Sequence, residues 1–135
     1  MVGGTATDLG LGGRFFQPTV LTDVTHSMEI MTEESFGPVL GIMRVDDDEE
    51  AVRWMNDSAF GLTASLWTRD LQRAQRLGAR IETGTVFMNR CDYLDPALPW
   101  TGVKDTGKGV SLSRHGFAAY TRLKGYNLRV ELPGA

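Results

Sequence analysis

The chain has 135 residues, 41% hydrophobic and 23% charged, which is enough for one globular domain and ordinary for a folded one. A formal net charge of −3 is too small to call for nucleic acid or an anionic membrane surface. No apolar run reaches the roughly 20 residues a membrane-spanning helix needs. Met1 to Gly13 lacks the charged start and apolar core of a secretory signal. One cysteine cannot form an internal disulfide, which fits a reducing, cytoplasmic location.

In chain order, residues 1–13 read as a flexible, glycine-rich segment, entered as if midway. Pro18 to Leu21 reads as a strand, and Met28 to Met31 as a short apolar group. Pro38 to Val45 is a nearly continuous apolar run of the kind a buried parallel strand shows. Asp46 to Glu50 then opens a helix. Asp46 or Asp47, with a glutamate three residues later, has capping-box spacing, and the acidic first turn suits the helix dipole. Ala51, Val52 and Met55 are expected to face inward, and Asn56-Asp57 and Gly61 stop the helix.

Thr63 to Trp67 reads as the next strand. Thr68 is expected to cap a helix from Asp70 to about Glu82, with Leu71, Ala74, Leu77 and Ile81 on one face. Arg69, Arg73, Arg76 and Arg80 share the opposite face and read as solvated. Thr85 to Asn89 gives a further strand. This alternation predicts an α/β fold of βαβ units with a parallel sheet. Arg90 to Gly109 is an aperiodic loop, Leu112 to Tyr120 a helix, and Lys124 to Glu131 a last strand with period-two alternation of Tyr126, Leu128 and Val130.

Several motifs then occur in a telling order. Glu33-Glu34-Ser35-Phe36-Gly37-Pro38 precedes an apolar strand. It is flanked by GRFFQPTV (Gly13 to Val20), NDSAFGL (Asn56 to Leu62), GTVFMN (Gly84 to Asn89), PWTGVKDTGKG (Pro99 to Gly109) and GFAAYTRLK (Gly116 to Lys124). Together they resemble the C-terminal part of the catalytic domain of the aldehyde dehydrogenase superfamily. The departures are Trp100 for a common phenylalanine, Thr101 for the usual first glycine of the loop and Thr106 for a common serine. They leave open which aldehyde is taken.

The resemblance implies a partial parallel βαβ sheet from that catalytic domain, ending in an extended oligomerisation strand. It divides the chain into a flexible segment, 1–13, a catalytic-domain segment, 14–122, and a strand and tail, 123–135. It implies that Glu34 holds the nicotinamide-side ribose of NAD or NADP, since a carboxylate can accept from both ribose hydroxyls, and that Phe36 lies beside the nicotinamide. From the residues alone, Glu34 reads rather as a surface charge and Phe36 as a core aromatic, and it is the resemblance that reverses this. Tyr93, Leu94 and Trp100 fall where the family shapes its aldehyde tunnel, and Trp100 reads alternatively as a loop anchor.

The family reaction oxidises an aldehyde to a carboxylic acid through a cysteine thiolate, with hydride passing to the nicotinamide. That cysteine, the general base, the oxyanion asparagine and the dinucleotide-binding domain are expected upstream of Met1. No residue of this chain is therefore assigned a catalytic role, and the isolated chain is expected to be inactive. The expected partners are an aldehyde in the intact enzyme and a second copy through the last strand.

Two other readings stay open. One is a noncatalytic oligomerisation module derived from such an enzyme, and the other a small thiol enzyme built on Cys91. Cys91, followed by Asp92, lies on the wrong side of the Glu-x-Phe-Gly-Pro motif for the family's nucleophile and opens no helix that would activate a thiol. His26 and His115 read as ordinary hydrogen-bonding residues, and with one cysteine they give no metal-ligand spacing. Asn89 is expected to tie loop to strand through its amide, and Lys104 to meet a carboxylate or the loop backbone.

Overall fold

The computed structural model describes residues 1–91, 93–131 and 134. Asp92 and the end of the predicted tail (132, 133 and 135) lie outside the described residues. The N-terminal segment is less free than its glycines suggest. β1 (Ala6–Thr7) pairs antiparallel with β2 (Phe15–Phe16), and Val2 bridges Val20.

β3 (Thr19–Thr22) leads through α1 (Glu29–Thr32) to β4 (Val39–Ile42), which lies parallel to β3. α2 (Asp48–Asn56) and β5 (Phe60–Gly61) precede β6 (Thr63–Leu66). α3 (Leu71–Gly78) then connects to β7 (Thr85–Met88), parallel to β6. Three short strands follow: β8 (Trp100–Thr101), β9 (Val103–Lys104) and β10 (Val110–Ser111). β9 pairs with β5 and β10 with β8, both antiparallel.

The fold is α/β, but its parallel strands make two separate pairs, β3–β4 and β6–β7, rather than one sheet. α2 therefore links strands that are not neighbours. Among the described residues no helix is long and apolar enough to cross a membrane.

Local chemistry explains the helices. Asp47 is the N-cap of α2: its Oδ1 accepts from Glu50 N at 2.8 Å, while Glu50 Oε2 accepts from Asp46 N at 2.8 Å. This is the predicted capping-box pair Asp47–Glu50, except that the return bond comes from Asp46 N, one residue before the cap. At α3 the cap is Asp70, which accepts from Arg73 N at 2.9 Å, and not Thr68. Thr68 Oγ1 instead accepts from Asp70 N and turns the chain into the cap. α3 also ends at Gly78, before the predicted Glu82.

Val52, Ala64, Leu77 and Ile81 form the core between α2, β6 and α3, with Leu66 packed against it. Leu71 and Met55, expected inward, are exposed. The predicted helix at 112–120 is a single α turn, α4 (Ser113–Gly116), followed by a 3-10 turn, Phe117–Tyr120. Leu112 and Ser113 open it at positive φ (62° and 50°), which denies α4 a regular N-terminus.

Residues 121–130 form no ladder, and Leu123, Leu128 and Val130 are exposed. The predicted last strand is not formed here, because a strand needs a partner edge and this chain offers it none among the described residues. The chain's accessible surface is 11202 Å², whereas a compact monomer of 14.9 kDa has about 7,000 Å².

The arginine face of α3 is only partly solvated. Arg73 forms a bidentate pair with Asp48, its Nε donating to Oδ2 at 2.8 Å. Arg80 does the same with Glu49, at 2.7 and 2.5 Å. Hydrogen bonds from these arginines hold both carboxyls below their ordinary range, against the smaller opposing effect of desolvation.

Two expectations follow from this packing. A carboxyl whose folded value is depressed stabilises above its unfolded value, and that contribution is lost as pH falls through the folded one. Arg80→Ala should therefore lower the thermal midpoint at neutral pH, and its difference from the unaltered chain should shrink on acidification. Gly84 abuts backbone: an added Cβ would lie 1.6 Å from Thr101 O. Gly84→Ala should cost about 3 kcal/mol in a urea titration by forcing β7 and β8 apart.

Candidate functional site

Glu34 and Phe36 stand on an extended segment between α1 and β4. α1 stops at Glu33, whose backbone is extended (φ −106°, ψ 144°). Pro38 then fixes its own φ and disfavours helix at Gly37. The segment is pinned where Thr19 N donates to Pro38 O at 2.8 Å, and locally by Gly37 N on Ser35 Oγ at 3.3 Å.

Phe36 is 96% exposed, so it is no core aromatic. Glu34 is exposed, and none of the five ion pairs among the described residues involves it. A carboxylate with both oxygens uncommitted, beside an exposed ring, suits a polyhydroxyl ligand carrying a planar group.

The second cluster follows β7. Asn89, at φ 55°, turns the chain and ties it back: Thr68 N donates to its Oδ1 at 2.9 Å, and its Nδ2 donates to Thr68 O at 2.7 Å. Beyond it a cavity of about 190 Å³ brings Tyr93 and Trp100 together with Phe87, Leu98 and Leu112. Leu94 is exposed and does not line it. Nor do Glu34 and Phe36, so the candidate residues fall in two places rather than one.

Arg90 and Asp95 supply charge at this cavity and were not singled out by sequence. Arg90 lies with its guanidinium carbon 3.6 Å from the Tyr93 ring centroid, a cation–π contact. Asp95 makes the turn Asp95-Pro96-Ala97-Leu98, accepting from Ala97 N at 2.9 Å and from Leu98 N on its carbonyl at 3.0 Å. The Asp-Pro pair was the available signal for that turn. Cys91 is free and exposed in this loop.

The loop carrying Trp100 is fixed from below. Lys104, at φ 55°, donates from Nζ to Asn56 O at 2.6 Å and lies 2.9 Å from Glu82 Oε2. It thus meets the carboxylate expected of it, while its backbone partner belongs to the end of α2 rather than to the loop. Thr106 Oγ1 accepts from Gly61 N at 2.7 Å.

The chain as a whole matches known proteins. The profile of the Aldehyde dehydrogenase family matches residues 1–126. A succinate-semialdehyde dehydrogenase [NADP(+)] of Deinococcus radiodurans is 46% identical over 112 residues, 83% of this chain and 24% of that protein. The mitochondrial aldehyde dehydrogenase of Equus caballus is 40% identical over 128 residues, 95% of this chain and 25% of that protein.

Among solved structures, the aldehyde dehydrogenase KauB from Pseudomonas aeruginosa superimposes with a TM-score of 0.86 at 40% identity, covering 92% of this chain and 25% of that one. An indole-3-acetaldehyde dehydrogenase of P. syringae, in complex with NAD+ and IAA, gives 0.86 at 37% identity with the same coverage. The chain spans about a quarter of the length of the relatives it matches. On a profile match over nearly its whole length, the chain belongs to the aldehyde dehydrogenase family.

Proposed function

We propose that this chain is the C-terminal segment of the catalytic domain of an NAD(P)-dependent aldehyde dehydrogenase, in which it serves cofactor binding and substrate access rather than bond-making. The carrying observation is the extended Glu34–Phe36 segment, which Pro38 fixes to β3 and whose polar and aromatic groups both face solvent. In this reading Glu34 accepts the hydroxyls of the nicotinamide-side ribose, and Phe36 packs beside the ring. NAD or NADP, when bound, supplies the hydride acceptor.

Trp100 and Tyr93 form one wall of the aldehyde passage through the cavity after β7, which Leu94 does not line. A mostly apolar lining with few polar groups suits a small aldehyde. Residues 14–122 are the catalytic-domain segment, and 123–135 are a strand and tail that join another copy. The alternation of Tyr126, Leu128 and Val130, all exposed, supports that last assignment, since an unpaired strand edge is a template for another chain.

The second reading, a noncatalytic association module, draws on the same exposed tail. It differs in expecting no cofactor at Glu34.

A chimera separates the two. Residues 14–122 can replace the matching segment of the Deinococcus radiodurans relative, and NADP-dependent aldehyde oxidation be assayed. The chimera should turn over, and Glu34→Gln in it should raise the KM for cofactor about tenfold, the cost of one weakened charged hydrogen bond. An unchanged KM would remove Glu34 from the cofactor site. The isolated chain should give no NAD or NADP reduction with any of a panel of aldehydes; measurable reduction would defeat the assignment. Size exclusion with light scattering should find the isolated chain associated, and removal of 124–131 should reduce that association.

A further inference from the structure

The segment that carries Glu34 and Phe36 has little packing of its own. α1 is a single turn, without a side-chain cap at its N-terminus and without a buried residue. One anchor is apolar. Val24, Ile30 and Met31 close over Gly41 of β4, where an added Cβ would lie 2.9 Å from Met31 Sδ and 3.3 Å from Val24 Cγ2. That contact holds α1 and, through the buried Val24, the start of the loop between β3 and α1 against β4, just after the turn at Asp23 (φ 59°), and leaves residues 25–28 to be fixed otherwise.

His26 fixes it from a different element. Its Nε2 lies 3.0 Å from Asp57 Oδ2, just past the end of α2. Its ring rests on Trp54, with centroids 4.5 Å apart and planes tilted by 32°. Trp54 is itself held, since its Nε1 donates to Glu50 Oε1 at 3.2 Å and the Arg53 guanidinium carbon lies 4.7 Å from its ring centroid. Asp57 is two-thirds exposed, so its hydrogen bond with His26 alone would compete with water. The stacked ring surface carries the rest. Nδ1 of His26 is buried without a hydrogen-bond partner among the described residues. A proton on Nδ1 would face no acceptor, so this geometry places the ring proton on Nε2, which donates a hydrogen bond to Asp57 Oδ2.

We propose that His26 is a positioning residue: its clasp on Trp54 and Asp57 docks the β3–α1 loop onto the last turn of α2 and so sets where Glu34 and Phe36 stand. The consequence for the cofactor rests on the reading of Glu34 and Phe36 given above, whereas the clasp does not.

The test reads amide hydrogen exchange in the chain as it is, without nucleotide. Three amides report on the loop and α1: Met28 N on Thr25 O, Met31 N on Met28 O and Glu33 N on Glu29 O. His26→Ala and Trp54→Leu should each speed their exchange about tenfold while α3 amides stay unchanged, since local opening is separable from global unfolding. Asp57→Asn keeps an acceptor for Nε2 and should remain near the unaltered chain. Unchanged exchange at the three amides in His26→Ala, or equal acceleration in α3, would overturn the proposal. Nitrogen-15 spectra of the unaltered chain need no variant: the Nε2-protonated tautomer of His26 is expected, and the Nδ1-protonated one overturns the clasp. Loss of the Glu34 effect in the chimera would leave every one of these outcomes intact, so the two ideas fail separately.

Discussion

The last turn of α2 is the junction on which the rest of the molecule depends. Asn56 donates from Nδ2 to Arg80 O at 2.8 Å and accepts Glu82 N on Oδ1 at 2.8 Å, so one amide locks the turn after α3. Its carbonyl, one of those a helix end leaves unpaired, accepts Lys104 Nζ. Lys104 also meets Glu82, so α2, the approach to β7 and β9 converge on a single side chain and its backbone. A lysine can serve this purpose because its ammonium offers three donors at the end of a long stem. Trp100 lies a few residues before Lys104, and its position inherits that anchorage. Trp54 and Asp57, in the same turn, receive His26 from the other direction. The Glu34–Phe36 segment and the Trp100 loop are thus referred to one short stretch of helix.

The reason for such dependence is the sheet. Two pairs of parallel strands that do not join cannot hold their helices in register through ladder hydrogen bonds. Side-chain amides take over that task, Asn56 between α2 and the turn after α3, and Asn89 between β7 and the turn before α3. Both amides use donor and acceptor together on backbone groups of one neighbouring segment. The two bidentate pairs from α3 to α2, Arg73 with Asp48 and Arg80 with Glu49, add charge to the same interface. Exposed pairs of this kind are individually weak. Their geometry here is of the better sort, because a planar guanidinium meets both carboxylate oxygens.

What could be read from the sequence was whatever is decided within a few residues. The strands at Thr19, Val39, Thr63 and Thr85 follow from short apolar runs, and the Asp47–Glu50 capping box from spacing alone. The cap of α3 was misread because Thr68 and Asp70 are both competent caps; the carboxylate sits at the spacing from Arg73 N that the first turn requires. The arginine face of α3 was read as solvated because its acidic partners belong to α2, and no local pattern couples the two. The same holds for His26, whose partners Trp54 and Asp57 lie on another element. For the site, the motif order singled out Glu34 and Phe36, and the extended, exposed segment they stand on was set by Pro38. Whether Tyr93, Leu94 and Trp100 meet depended on the Asp95 turn and the Lys104 anchor, and only Tyr93 and Trp100 do. The last strand could be read as a period but not as a structure, since the described residues offer it no partner edge.

Surface area decides between the two ways of completing this molecule. The accessible surface exceeds that of a compact monomer of its mass by about 4,000 Å². A standard interface covers about 800 Å² on each partner. Pairing through residues 124–131 would cover Leu128 and Val130, yet it would not reach Leu40 and Ile42 on β4, which are also exposed. Those side chains need neighbours laid against the strand pair itself, as further strands and helices of a larger domain would supply. Association through the tail and inclusion in a catalytic domain are therefore not rivals, because each covers a different surface. Only the second is large enough to account for most of the excess.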